Sequence, residues 1–285
     1  MRERLLSAIP LIILFALCFV LPGWYGRAYF GIFAAVAIVL GNRELFSMMN
    51  LQDGKCFEIC ADVFALAGIP LLIVYRKCAQ FGVDALLQQA LAALFILSVF
   101  CILFARGISK EKLTSAFISI GLFFYFSWTL TFLLRIYLAS PLLLLELIIM
   151  TKMGDVGAYA IGTWTNKLMH GNHKLAPVIS PKKSWEGLAG GILFSVASGL
   201  VMFHCFPNMF MVNDGYMLLE SWEVVIWGVL AGVVGLLGDL AESAIKRAAD
   251  VKDSGKLPGI GGVLDTLDSL ILVGPLFYLY LMLFG

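Results

Sequence analysis

Val224 to Leu237 reads VVIWGVLAGVVGLL, and Gly238 to Asp268 continues as GDLAESAIKRAADVKDSGKLPGIGGVLDTLD. An uninterrupted apolar run gives way without a spacer to carboxylates, cations, a hydroxyl and a glycine cluster. A second apolar run begins at Gly262-Val263-Leu264 and continues to the end of the chain. Charge at the edge of hydrocarbon is costly and marks function more often than packing.

The rest of the chain agrees with a bilayer as solvent. Of 285 residues, 61% are hydrophobic and 14% charged, and the mean hydropathy is +0.93. Soluble domains carry about a quarter charged residues. The composition predicts an all-α, polytopic transmembrane protein, because a barrel would show period-two alternation. The net charge of +1 argues against nucleic acid as a partner. Cys18, Cys56, Cys60, Cys78, Cys101 and Cys205 are scattered, and no His or Cys pair completes a zinc set around Cys56 and Cys60.

Apolar runs predict nine spans, at 5–22, 28–48, 58–75, 85–105, 113–134, 138–163, 187–206, 223–245 and 263–284. A helix rises about 1.5 Å per residue, so about 20 residues cross. The third span carries Asp62; the sixth carries Glu146 and Asp155. Arg2 and Arg4 precede the first run, and Pro22-Gly23-Trp24 follows it in place of a small-residue cleavage site, so it is read as a retained span.

Connector charge sets the orientation. Residues 208–223 hold Asp214, Glu220 and Glu223 without Lys or Arg; Lys167, Lys174, Lys182 and Lys183 precede them, and Lys246, Arg247, Lys252 and Lys256 follow. The positive-inside rule puts both basic connectors in the cytoplasm. Arg76 and Lys77 fall on the opposite side and count against this scheme. Residues 1–140 read as N-terminal transmembrane helices without chemistry, Arg43 and Glu44 as a solvated helix end. Residues 141–285 read as a C-terminal transmembrane catalytic region of the same integrated domain.

Three clusters in that region carry chemistry. Asp239, Glu242, Ser243, Lys246, Arg247 and Asp250 recur at steps of three and four, on one broad helical face. Lys252-Asp253-Ser254-Gly255 and Pro258-Gly259-Ile260-Gly261-Gly262 form a basic, glycine-rich loop able to bring N–H groups to an anion. Asp265 and Asp268 follow, three apart, at the start of the last span. With Asp239 they suit a hard divalent cation, which takes one or two carboxylates plus substrate phosphates. Upstream lie Asp155-Val-Gly-Ala-Tyr159 and Ser180-Pro-Lys182-Lys183-Ser184-Trp-Glu186-Gly187. Ser180 or Ser184 caps the helix that follows, with Glu186 in its first turn, and the lysines serve as a membrane anchor or an anion site. His170 and His173 lack acidic partners at metal-ligand spacing, and His204 reads as a residue of an apolar face. Carboxylates for a metal, cations for phosphates and access to lipid point to phosphoryl or nucleotidyl transfer involving a lipid headgroup.

These motifs resemble the phosphatidate cytidylyltransferase (CDP-diacylglycerol synthase) family. Its signature is matched by Ser243, Lys246, Arg247, Lys252, Asp253, Pro258, Gly259, Gly261, Gly262, Asp265 and Asp268, preceded by Gly238-Asp239-Leu240. The stretches Asp155-x-Gly-Ala-Tyr and Lys174 to Gly187 match as well. The chain departs at three places: Ile260 where a histidine is usual, Thr266 where an arginine is usual, and one residue fewer between Asp253 and Pro258.

The resemblance implies that phosphatidic acid and CTP give CDP-diacylglycerol and pyrophosphate with Mg²⁺, in phospholipid biosynthesis. It implies metal ligation by Asp239, Asp265 and Asp268. Lys246, Arg247 and Lys252 would neutralise phosphate. Ser180, Lys182, Lys183, Glu186 and Asp155 would lie on the nucleotide side, with Ser243 and Asp253 in the catalytic set. A cell inner membrane, an active site facing the cytoplasm and a homodimer are the accompanying expectations. A CTP-dependent lipid or polyprenol kinase and a membrane transporter are the rival readings. The chain shows no internal repeat of the kind many transporters carry.

Overall fold

A computed structural model describes residues 15–75, 83–168, 171–207, 219–255 and 261–284. Helices α1 (Gly23–Met49), α2 (Gly54–Tyr75) and α3 (Val83–Ala105) are followed by a nearly continuous rod. This rod consists of α4 (Lys110–Leu122), a π-helical turn (Phe123–Trp128) and α5 (Thr129–Ala139). Then come α6 (Pro141–Thr165), a hairpin of β1 (Lys174–Ala176) and β2 (Ser180–Ser184), α7 (Trp185–Cys205), α8 (Ser221–Ala248) and α9 (Val263–Phe284).

Among the described residues, seven stretches are long and apolar enough to cross a membrane: Gly23–Met49, Gly54–Val74, Leu86–Ala105, Lys110–Ala139, Trp185–Cys205, Ser221–Ala248 and Val263–Leu283. They coincide with seven of the nine predicted spans, and the protein is a multi-pass membrane protein. The first predicted span, with Arg2 and Arg4, lies largely outside the described residues. The sixth forms α6, but Glu146, Lys152 and Asp155 interrupt its apolar run, so a count of nine is not confirmed.

The chain divides into two compact units, one of Met1–Ala139 with Asp253–Thr266, the other of Ser140–Lys252 with Leu267–Gly285. Aromatic stacking fills the first: Phe30 lies 4.1 Å from Tyr137 and Phe95 4.0 Å from Phe123, centroid to centroid. Asp62 is not bare in the apolar run, since Asn42 Nδ2 donates to it at 2.8 Å and Ser127 Oγ donates to Asn42 Oδ1 at 2.8 Å. A hydrogen-bonded chain of this kind satisfies polar groups that lipid cannot.

The second unit is built by close approach. A Cβ on Gly157 would lie 2.6 Å from the Gly190 carbonyl oxygen, so α6 and α7 meet backbone to backbone. Small residues at such crossings maximise dispersion contact where lipid offers no hydrophobic drive. At the far end of α8 and α9, Trp227 packs edge-on against Phe277 and Tyr280 at 4.8 and 5.3 Å, and Tyr280 Oη donates to Glu223. The two helices run antiparallel from there to the polar ends of both.

Candidate active site

The polar end of α8 ends in a left-handed stop. Asp250 has φ +55°; its N–H bonds to the Arg247 carbonyl at 3.1 Å, and the Val251 N–H to the Lys246 carbonyl at 2.9 Å. That is the double closure of a Schellman turn, made here by Asp instead of Gly. About three turns earlier, Gly238 lets α9 rest on α8: a Cβ there would sit 2.4 Å from the Asp268 carbonyl oxygen. The contact places Asp268 beside Asp239 and Glu242. One carboxylate oxygen from each of these three lies within 4.8 Å of the others. Hard divalent cations bond oxygen at about 2.0–2.6 Å, so opposite ligands stand about 4–5 Å apart. The three carboxylates fit such an ion with little closure.

Each carboxylate has a lysine. Lys183 Nζ is 2.6 Å from Asp239 Oδ2, and Lys246 Nζ is 3.0 Å from Glu242 Oε2. Lys152 Nζ is 3.9 Å from Asp268 Oδ1. Glu242 is 1% exposed and Lys246 13%, so these ions are held where unpaired charge would be expensive. Lys152 also reaches Asp155 Oδ2 at 3.1 Å and Ser269 Oγ at 2.8 Å. The Ser243 hydroxyl donates to Asp239 Oδ1 at 3.5 Å.

The Lys174–Gly187 motif is a hairpin instead of a plain loop, with Lys174 opposite Ser184 and Ala176 opposite Ser180. Of the two candidate caps, Ser184 is the one used: its Oγ accepts from Gly187 N at 3.1 Å at the start of α7. Ser180 opens β2, and Lys182 is exposed on it while Lys183 turns inward to Asp239. Glu186 accepts from the His173 N–H at 3.1 Å and lies 2.6 Å from His173 Nδ1. His173 therefore has an acidic partner, one that spacing did not reveal because the hairpin folds thirteen residues back. Glu186 ties the hairpin to α7. His170 lies outside the described residues.

Arg247 and Lys252 are exposed beyond the cluster, Arg247 Nη1 donating to the Val251 carbonyl at 3.3 Å. Asp253 is exposed. Residues 256–260, with Pro258, Gly259 and Ile260, lie outside the described residues.

In the first unit, Glu44 corrects the expectation of a solvated helix end. Its carboxylate accepts from Val263 N at 2.9 Å, Leu264 N at 3.0 Å and Ser254 Oγ at 3.2 Å. A Cβ on Gly255 would lie 2.3 Å from Glu44 Oε1, and one on Gly262 2.6 Å from Oε2. The paired glycines make room for the carboxylate, which takes the helix N-terminus where an anion is favoured. Asp265 accepts from Gly262 N at 2.9 Å, and Thr266 Oγ1 donates to the Gly262 carbonyl at 3.1 Å.

Among the sequence-selected residues, the second unit brings together Asp155, Lys183, Asp239, Ser243, Lys246 and Asp268. Sequence reasoning put Glu242 on the right face without making it a ligand, although its i+3 spacing from Asp239 was the signal. Lys152, Ser269 and Glu44 were missed, and no local pattern could have found them.

The seven apolar helices and the carboxylate–lysine cluster define a polytopic membrane protein equipped for a divalent cation and anionic ligands. The chain belongs to the cytidylyltransferase family, whose profile matches residues 2–284. It is accordingly a membrane nucleotidyltransferase. It is 34% identical over 282 residues to a phosphatidate cytidylyltransferase of Staphylococcus epidermidis, covering 97% of each chain. It is 30% identical over 282 residues to that of Staphylococcus haemolyticus, again 97% of each. Against the phosphatidate cytidylyltransferase of Bacillus subtilis the identity is 31% over 294 residues, 100% of this chain and 99% of the relative.

Proposed function

We propose that the protein transfers CMP from CTP to phosphatidic acid, giving CDP-diacylglycerol and pyrophosphate, and that Mg²⁺ is held by Asp239, Glu242 and Asp268. The observation that carries the site is the meeting of these three carboxylates within 4.8 Å on helices long and apolar enough to reach lipid. Bound Mg²⁺ supplies charge neutralisation for a triphosphate and its pyrophosphate leaving group. The rest falls to the chain. Lys183 and Lys246 already stand beside the carboxylates, where their ammonium groups can meet phosphate oxygens. Arg247, Lys252 and Lys182, exposed around the cluster, extend the positive field. Ser180 and Glu186 act through the hairpin that carries Lys182 and Lys183. Ser243 orients Asp239, its hydroxyl donating to Oδ1 at 3.5 Å, and Asp253 is exposed and belongs to the basic, glycine-rich segment.

A phosphate oxygen of the lipid attacks the α-phosphorus of CTP, the bond to the β-phosphate bridge breaks, and pyrophosphate leaves with the electron pair. No protein nucleophile is required, because the lipid phosphate is already an anion. Asp265, three residues before Asp268, accepts from Gly262 N at 2.9 Å, which supports a role in holding the glycine segment.

The basic residues flanking the cluster support a cytoplasmic active site in a cell inner membrane. Membership in the cytidylyltransferase family favours this reading over the lipid kinase and the transporter. The test is purified protein in detergent with labelled CTP and phosphatidate. CDP-lipid with pyrophosphate is expected; phospholipid with CDP would replace the reading by a kinase, and no turnover of CTP would remove it. Wild-type rates in both Asp239→Asn and Glu242→Gln would remove the metal assignment. Light scattering of the same preparation measures whether the protein is a homodimer.

A further inference from the structure

We propose that Lys152 is a positioning residue whose ammonium is a tethered cation at one side of the carboxylate cluster, holding Asp155 and Asp268 in place. The inference rests on the reading of that cluster as the metal site. Lys152 Nζ lies 2.8 Å from Ser269 Oγ, 3.1 Å from Asp155 Oδ2 and 3.9 Å from Asp268 Oδ1. Three oxygens from two helices, α6 and α9, surround one ammonium, which has three protons to give. Ser269 completes the set: its Oγ donates to Asp155 Oδ2 at 3.1 Å, and its N–H to Asp268 Oδ1 at 2.6 Å.

Asp268 belongs to both groups, since it also joins Asp239 and Glu242. Lys152 thus acts on the metal site through Asp268. Its positive charge offsets the repulsion between two carboxylates of separate helices that stand near each other. Lys183 faces Asp239 and Lys246 faces Glu242; Lys152 faces two carboxylates and a hydroxyl. This ammonium does what a small free cation would do in an oxygen-lined site, with the difference that the chain supplies it.

The experiment replaces the side chain and returns the cation. Lys152→Ala removes three methylenes and the ammonium, which propylammonium reproduces. The Lys152 side chain is 36% exposed, so a small amine can reach the space. Lys152→Ala is expected to lower cytidylyl transfer about 10–100-fold, the usual cost of removing a partner that orients a ligand. Propylammonium should then restore activity saturably and raise the Tm of Lys152→Ala, with no effect on the wild-type protein or on Lys152→Met, whose stem fills the space. The added substitution Ser269→Ala should abolish the response.

Wild-type activity in Lys152→Ala without amine overturns the proposal, as does a folded Lys152→Ala that answers propylammonium in neither activity nor Tm. Should Lys152→Ala not fold even with amine present, Lys152→Met carries the test. A 10–100-fold loss at wild-type Tm supports the role, and undiminished activity overturns it. The Tm response needs no turnover, so failure of the wild-type protein to make CDP-lipid would sink the functional reading separately.

Discussion

Gly238→Ala tests whether the crossing of α8 and α9 sets the geometry of the cluster. A Cβ at this position would stand 2.4 Å from the Asp268 carbonyl oxygen and 3.3 Å from Ser269 Cα. Ordinary contact begins near 3.4 Å, so the backbone at Asp268 must retreat by about 1 Å. The obstructing atom is backbone at the start of a helix, so no rotamer change relieves it. The displaced residue bears one of the three carboxylates that meet within 4.8 Å. An error of about 1 Å at reacting groups costs about 10²-fold in rate, and overpacking costs about 1–3 kcal/mol in stability. Gly238→Ala is therefore expected to lower CDP-diacylglycerol formation about 100-fold and to raise the Mg²⁺ concentration needed for half-maximal rate. Gly235→Ala is the internal control, because its Cβ would meet Thr151 Cγ2 at 3.3 Å and Ser269 Cβ at 3.6 Å, at or close to ordinary contact distance and against side chains instead of backbone. The assay is radiolabelled CTP turnover across a Mg²⁺ series, with thermal unfolding of both variants in parallel. Wild-type rates and an unchanged Mg²⁺ dependence in Gly238→Ala would refute the reasoning.

Glu242→Gln keeps the shape but removes one of the three ligand charges, and should shift the Mg²⁺ dependence to higher concentration and lower the Tm, since the largely buried Lys246 ammonium loses its counter-charge; an unchanged Mg²⁺ dependence would count against Glu242 as a ligand. Glu44→Ala leaves the N–H groups of Val263 and Leu264 without their carboxylate; a loss of about 1–2 kcal/mol is expected, read as a lower Tm in detergent, and no change would remove the clamp. Ser184→Ala removes the cap on α7 and should cost about 1 kcal/mol by the same measurement, whereas Ser180→Ala should leave stability unchanged.

Much of this protein is legible without a fold. Composition and the length of apolar runs define a helical membrane protein, because lipid admits few other backbones. Seven spans follow from runs such as Val224–Leu237, and the motif residues between Asp155 and Asp268 resemble one family closely enough to indicate its reaction. Helical spacing also put Asp239, Glu242 and Lys246 on one face. The failures have a common cause. Residues 138–163 read as a span carrying Glu146 and Asp155, with no sign that Lys152 stands with Asp155 and Asp268. Glu44 read as a solvated helix end, although it holds a segment more than two hundred residues further along. His173 read as unpartnered because its carboxylate returns through a hairpin.

Periodicity records which side of an element is polar, a property of neighbours along the chain, and hydrocarbon enforces it strongly. Which polar side chains then face one another depends on where helices cross. Here the crossing is governed by bare glycine backbone at Gly157, Gly190 and Gly238, and contact between distant segments leaves no mark on local spacing. The membrane class and the motif were therefore open to reading from the chain, while Glu242, Lys152 and the clamp of Glu44 required the helices to be packed.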